Sequence, residues 1–301
     1  MTIEELDAYI KDYTKNDKTN RAVMLTAPWG SGKTYYIKNE LVPSLKKDGI
    51  GTILVSLYGI ESLAELSKNL YIEARAKWIN KKSEKREIGK IIAKTIVKNV
   101  VGHYGIDLSV DEKDMQKLYE SVNLSKRLII LDDLERSRID IVDVLGFVND
   151  LCEQDGAKVL LVANEKAIKT YEKKESISQD GKKSTDLVMT KECEQYIRIK
   201  EKTIGDTITF FENKKNVIKG ILENYDNKYF KCFLKETVDS SYNIVEKISD
   251  IMDMNKSNNY RSLLYACQKT DDIIRKLSKS DYNFDNDFIE NLFLGSVAYL
   301  T

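Results

Sequence analysis

The sequence predicts an α/β fold: a doubly wound core on a parallel sheet, followed by an all-helical C-terminal region. Three observations predict it. Apolar runs of strand length, Ala22–Thr26, Gly51–Leu57, Arg127–Leu131 and Lys158–Ala163, alternate with longer segments of helical periodicity. The last two runs are continuous rather than alternating, which marks a sheet covered on both faces and therefore parallel. After Gly205 the pattern turns helical and stays so from Asn216 to Leu300.

Taken in order, Thr2-Ile3-Glu4-Glu5 starts a helix over Ile3–Tyr13, with Thr2 as its cap and Glu5 reaching back. Strand Ala22–Thr26 leads into a glycine-rich turn and a helix over Thr34–Leu45. Strand Gly51–Leu57 ends at Tyr58-Gly59. Helices are expected at Ser62–Asn80, Lys85–Val101 and Asp111–Ser121, then strand Arg127–Leu131 and a helix over Ile139–Glu153. Strand Lys158–Ala163 precedes a helix over Glu165–Glu172. Lys173–Thr185 is rich in Lys, Ser, Asp and Gly and reads as a mobile loop. A short strand at Ile199–Thr203 completes the sheet. The expected domains are residues 1–205, with a helical insertion at 60–126, and a helical lid at 206–301.

Composition sets limits. The chain has 301 residues, enough for a substantial core, and 48 basic side chains balance 48 acidic ones, so net charge names no partner. Cys152, Cys193, Cys232 and Cys267 lie far apart, with no C-x-x-C and a single histidine, His103. A disulfide framework, a zinc site and a histidine-based triad are thereby disfavoured. The cysteines read as small apolar fillers in a reducing, cytoplasmic compartment. No signal peptide is evident, and no uncharged run approaches the ~18 residues of a membrane span. The nearest candidate, Ile88 to Val101, is broken by Lys90, Lys94 and Lys98.

The chemistry begins at Ala27-Pro28-Trp29-Gly30-Ser31-Gly32-Lys33-Thr34. Strand, glycine-rich turn, Lys-Thr and helix form the arrangement that holds a nucleoside triphosphate. Such a turn aims successive backbone N–H groups inward, and the following helix adds its unpaired donors and partial positive charge. Lys33 is expected to reach the β- and γ-phosphates, and the Thr34 hydroxyl to ligate Mg²⁺. The pattern usually opens with Gly, where this chain has Ala27. Gly30 and Gly32 remain where backbone must approach phosphate closely or take positive φ. Trp29, Gly30, Ser31, Gly32, Lys33, Thr34 and Tyr35 are the expected nucleotide-binding residues. No motif identifies the base.

The second constellation is Arg127-Leu128-Ile129-Ile130-Leu131-Asp132-Asp133-Leu134-Glu135-Arg136. Four apolar residues on a buried strand deliver Asp132 to its carboxyl end, the edge where ligands sit in parallel sheets. Asp132 is expected to hold Mg²⁺ together with Thr34, and Asp133 to orient or deprotonate the attacking water. Many hydrolytic sites place Glu second. Asp133 is one methylene shorter, a loss of reach of roughly 1.5 Å, so slow turnover as a timer or switch is anticipated. At the end of the next strand Asn164 is positioned to sense the γ-phosphate or orient water, or else to cap the following helix.

These pieces together resemble the KAP family of P-loop NTPases, within the ASCE and STAND-like ATPases whose extra strand separates the two nucleotide motifs. The resemblance rests on Trp29-Gly30-Ser31-Gly32-Lys33-Thr34 and on Asp132-Asp133-Leu134-Glu135-Arg136, where the family typically shows Asp-Asp-Leu-Asp-Arg. Ser56-Leu57-Tyr58-Gly59 and Glu201-Lys202-Thr203-Ile204-Gly205 resemble a bacterial subgroup. Asn258-Asn259-Tyr260-Arg261-Ser262-Leu263 is similar to the family's Asn-x-Arg helix start. The resemblance implies an ATPase core with a helical lid, frequently part of a larger bacterial protein linked to defence against phage. Some relatives carry membrane helices between the two motifs; here that interval holds soluble-looking helices. Arg136 and Arg261 are the candidate charge-stabilising residues, Arg136 in cis or on a neighbouring subunit and Arg261 through the lid. Surface salt bridging is the alternative for each.

Residues 71–100 hold nine basic and three acidic side chains, with Ile88, Ile91, Ile92, Ile96 and Val100 on one helical side and Lys90, Lys94 and Lys98 on another. An amphipathic helix packed on the core with a solvated lysine face is the favoured reading. Contact with nucleic acid, anionic lipid or a partner helix stays open. Trp78 reads as core. The function expected is an Mg²⁺-dependent NTPase, using ATP, that drives assembly or a conformational switch with itself or an effector protein as partner. The alternatives are a nucleotide-gated interaction module with negligible turnover and a nucleic-acid-stimulated motor.

Overall fold

The computed structural model describes residues 1–76, 124, 127–177, 183–225, 244–277 and 285–301. They form two compact units: Asp7–Thr26 with Ile37–Thr209, and Met1–Leu6 and Ala27–Tyr36 with Phe210–Thr301. The expected helices Lys85–Val101 and Asp111–Ser121 lie outside the described residues. So do Trp78, His103, Cys232 and the basic segment from residue 77 onward.

The first unit is built on a sheet of β1 (Ala22–Thr26), β2 (Gly51–Ser56), β3 (Arg127–Asp132), β4 (Lys158–Ala163) and β7 (Ile204–Thr209), in the order β2-β3-β4-β1-β7. Every pairing is parallel, with Leu25 opposite Val162, Ile130 opposite Leu160 and Val55 opposite Leu131. This is the α/β architecture the apolar runs predict. β4 is buried along its whole length, and β3 from Leu128 onward, so neither can spare a polar face. Ile53, Val55, Leu131, Val159 and Leu161 form one apolar cluster with Leu145 and Val148 of the helix Ile141–Glu153. β4 separates β1 from β3.

Four local expectations are corrected. Ile199–Thr203 is the end of a helix, Lys191–Thr203, and the strand takes the next six residues, Ile204–Thr209. Thr190 caps this helix by accepting from the Cys193 N–H at 3.2 Å, which commits the segment to helical geometry before Ile197 and Ile199 are reached. Of the stretch expected as a loop, Lys173–Ile177 and Lys183–Thr185 are strand, and the residues between them lie outside the described residues: β5 (Tyr171–Ile177) and β6 (Lys183–Met189) pair antiparallel, Tyr171 opposite Met189. The helix expected over Glu165–Glu172 is one turn, Glu165–Ile168, because Tyr171 enters that hairpin. The helix expected from Thr34 to Leu45 runs as Lys33–Tyr36, a wider π-type turn at Ile37–Leu41, and Val42–Lys47. Pro43 accounts for the break, since it lacks an N–H and its ring crowds the carbonyl four residues earlier.

In the second unit the capping box forms as expected. The Thr2 N–H donates to Glu5 Oε2 at 2.8 Å and the Glu5 N–H to Thr2 Oγ1 at 3.2 Å. Its described helices after Phe210 are Lys214–Asn224, Ile244–Met254, Tyr260–Leu277 and Asn286–Leu300. Asn213 and Asp285 cap the first and last through side-chain oxygens. Ile218, Leu222, Ile248, Leu263, Phe293 and Val297 meet in its core, so the apolar pattern at the C-terminal end is a packed helix. Among the described residues no helix is long and apolar enough to cross a membrane. Cys152, Cys193 and Cys267 are free thiols, all buried, and burial pushes Cys152 and Cys267 up to about 12. They are apolar fillers, as composition suggests.

Candidate functional site

The glycine-rich turn departs from Thr26, the last residue of β1. Gly30 and Gly32 both take positive φ, 76° and 91°, so each does what only glycine does without strain. Ala27 is absent from the positive-φ residues, which is why the pattern tolerates it in place of Gly. Ser31 Oγ donates to the Pro28 carbonyl at 2.8 Å and ties the turn across its base. Lys33 is 9% exposed, with its ammonium donating to the carbonyls of Ala27 at 2.6 Å and Pro28 at 2.9 Å. The Tyr36 N–H donates to the Gly32 carbonyl at 2.9 Å, starting the helix directly behind the turn. Trp29 and Tyr35 are exposed, while Tyr36 is buried with its ring 5.3 Å from that of Phe210. A Cβ at Gly32 would lie 3.6 Å from Glu212 Oε2, placing a carboxylate beside the turn. Arg261 stands in the first turn of the helix Tyr260–Leu277, its N–H held by Asn259 Oδ1 at 3.2 Å.

The carboxyl edge of the sheet carries the remaining candidates. Asp132 ends β3 at 4% exposure and accepts the Asp133 N–H on Oδ1 at 2.9 Å. Asp133 holds a left-handed backbone, φ 61°, a conformation that aspartate tolerates at a cost. That twist turns its carboxylate toward β2, where Ser56 Oγ lies 3.3 Å from Oδ2. Arg136 Nε lies 3.9 Å from Asp133 Oδ1, and the guanidinium sits 5.8 Å above the centre of the Tyr58 ring. Asn164 follows β4 and is 8% exposed. Its N–H donates to Glu135 Oε2 at 3.0 Å, and its side chain makes no capping bond to the helix it precedes. Capping, the bland alternative for Asn164, is therefore not what its side chain does.

Beside Asn164 stands a buried acid. The Glu165 N–H donates to Thr26 Oγ1 at 3.1 Å, joining the ends of β4 and β1. The Glu165 carboxylate accepts from Tyr196 at 3.1 Å and Lys200 at 2.5 Å, with Lys169 3.2 Å away. Burial works to raise its pKa, but hydrogen bonds from Lys200 and Lys169 outweigh burial and hold the carboxyl below its ordinary range. Burial, and after it this same carboxylate, raises the Tyr196 phenol. Thr26–Glu165, Asn164–Glu135 and Ser56–Asp133 thus link the ends of four adjacent strands.

Asp132, Asp133, Arg136 and Asn164 are gathered at this one edge. The turn residues Trp29 to Tyr35 fall with Arg261 in the other unit. The sequence assigns no role to Glu165 or Thr26, and Ser56, Glu135 and Asn259 enter it only as parts of a resemblance. Two of these carried a signal: Glu135, as a departure from the Asp of the resembled motif, and Asn259, in the Asn-x-Arg helix start.

No family model matches the chain, and no curated protein matches it. Among solved structures it is similar to PCH-2 of C. elegans, at 15% identity and TM-score 0.46, over 99% of this chain and 68% of that one. It is also similar to a DNA replication initiation factor, at 12% identity and TM-score 0.34, covering 93% and 73%. A third is the replication initiator DnaA bound to AMPPCP and single-stranded DNA, at 15% identity and TM-score 0.33, covering 90% and 66%. The P-loop NTPase fold of this chain rests on its own strand order and glycine-rich turn rather than on these likenesses.

Proposed function

We propose that the chain is an Mg²⁺-dependent P-loop NTPase, using ATP, that couples nucleotide binding and hydrolysis to assembly or a conformational switch. One observation carries the reading. β1, which leads into the turn, and β3, which ends in Asp132, run parallel in one sheet with β4 between them. The turn's point of departure and Asp132 therefore share the edge where α/β sheets take ligands.

The residues fit the group they would hold. Positive φ at Gly30 and Gly32 frees loop amides to face an anion, and Lys33 supplies a cation already packed against the turn. Thr34 and Asp132 offer the hard oxygen donors that Mg²⁺ prefers. Bound Mg²⁺ would neutralise charge developing on the phosphoryl oxygens. Asp133 would orient the attacking water and Asn164 would hydrogen-bond the water or the γ-phosphate. Arg136 and Arg261 would balance transition-state charge, in cis or toward a neighbouring copy. Membership of the KAP family and a role in defence against phage belong to this proposal, resting on the motif resemblance alone.

A second reading, a nucleotide-gated module with negligible turnover, is favoured by one observation. Ser56 and Arg136 both engage the short Asp133 carboxylate, one at each oxygen. Steady-state phosphate release measured beside nucleotide affinity separates the two. Release that is lost in Asp133→Asn while affinity is kept supports the enzyme. Tight binding with no release from the parent chain supports the module. Release that rises when DNA or RNA is added would instead favour a nucleic-acid motor.

A further inference from the structure

The helix Tyr260–Leu277 does not merely lie in the same unit as the glycine-rich turn. Its first residues are bonded to it. The Tyr260 N–H donates to the Gly30 carbonyl at 3.0 Å. A Cβ built at Gly30 would fall inside the Asn259 side-chain amide and 3.0 Å from Asn259 Cα. Asn259 is itself fixed. Its Oδ1 accepts the Arg261 N–H at 3.2 Å, its carbonyl accepts the Ser262 N–H at 3.1 Å, and its own N–H donates to Ser257 Oγ at 3.3 Å.

A trans peptide is planar, so the carbonyl of one residue and the N–H of the next point in opposite directions. Holding the Gly30 carbonyl on Tyr260 therefore aims the Ser31 N–H the opposite way. In an anion cradle the carbonyls must face out and the N–H groups in. The Gly30–Ser31 peptide is oriented by a partner outside the turn.

We infer that Asn259 is a positioning residue for the phosphate loop. Seated over Gly30 and capping the helix at Arg261, it keeps the Tyr260 N–H on the Gly30 carbonyl and so sets the direction of the Ser31 donor. This rests on the reading of the turn as a triphosphate cradle. The consequence is a coupling: the start of the helix and the shape of the cradle move together, so triphosphate binding and the placement of Arg261 are one event. Gly30 is required for a second reason besides its φ, because any side chain there would displace Asn259.

The test is calorimetric titration of Mg·ATP into the full chain, with melting temperature and phosphate release on the same samples. Asn259→Ser keeps a good helix cap but removes the amide seated over Gly30. It is expected to melt near the parent temperature, to bind about tenfold more weakly, and to show a raised KM with kcat within about twofold. Gly30→Ala, whose methyl group meets Asn259, is expected to lose affinity at least as much. Asn259→Ser with parent affinity would show that Asn259 only caps its helix and would overturn the inference, as would a Gly30→Ala variant that binds normally. A folded parent that takes up no nucleotide would instead remove the reading of the turn itself, and this one with it.

Discussion

Glu135 Oε2 accepts the backbone N–H of Asn164 at 3.0 Å, across 29 residues of sequence. Glu135 follows the Asp132-Asp133 pair by two residues, and Asn164 directly follows β4. The bond therefore ties the end of the acid-bearing strand to the strand beside it. The Glu135 side chain makes this bond with its outer carboxylate oxygen, one methylene beyond the reach of an aspartate. Glu135→Ala would leave a buried N–H unmet and is expected to cost about 1–2 kcal/mol in urea denaturation. Glu135→Gln keeps an acceptor and should recover most of it. If the Ala variant is as stable as the parent, the bond has no weight.

Asp133 combines a left-handed backbone with a proposed chemical role. Glycine at this position would relieve the backbone and remove the carboxylate. Asp133→Gly is expected to unfold at higher denaturant, with stability raised by up to about 1 kcal/mol, while phosphate release falls to background. A variant both less stable and still active would separate the strain from the function.

Glu165 gives a pH dependence whose sign follows from its environment. Its folded-state pKa lies below that of the unfolded chain. The stability it contributes is therefore complete above the unfolded value, about 4.3, and is lost as pH falls from there through the folded value. Glu165→Gln strands Lys200 and Lys169, 2.5 and 3.2 Å from the carboxylate, without their countercharge. A loss of about 3 kcal/mol is expected at pH 7. Measured at pH 3.5, the gap between parent and variant should narrow. A gap that is constant with pH would mean that the ionised carboxylate is not what stabilises.

Much of this architecture was legible because burial on both faces writes itself into composition. Val159-Leu160-Leu161-Val162-Ala163 has no polar residue to confuse the period, and the strand is buried throughout. β7 failed that test. Ile204-Gly205-Asp206-Thr207-Ile208-Thr209 buries only Ile204 and Ile208, so it carries too little apolar signal to be placed. The β5–β6 hairpin pairs Tyr171–Ile177 with Lys183–Met189, segments whose Lys, Glu and Ser content reads as loop, because backbone pairing leaves no mark on side-chain composition. The site divides in the same way. Lys33, Thr34, Asp132 and Asp133 declare themselves by local spacing. Thr26 with Glu165, 139 residues apart, and Ser56 with Asp133, 77 apart, are made only by the parallel register of the sheet.

The amides and ammonium around Lys33 are proposed to hold a triphosphate whose Mg²⁺ is shared with Asp132. Titration of ATP into the parent chain, Lys33→Ala and Asp132→Asn, with and without Mg²⁺, tests it most directly. One saturable site is expected in the parent, with affinity reduced by tenfold or more in Lys33→Ala, and with a loss in Asp132→Asn that disappears when Mg²⁺ is withheld. A folded parent that gives no heat with any common nucleotide, or a Lys33→Ala variant that binds as the parent does, would contradict it.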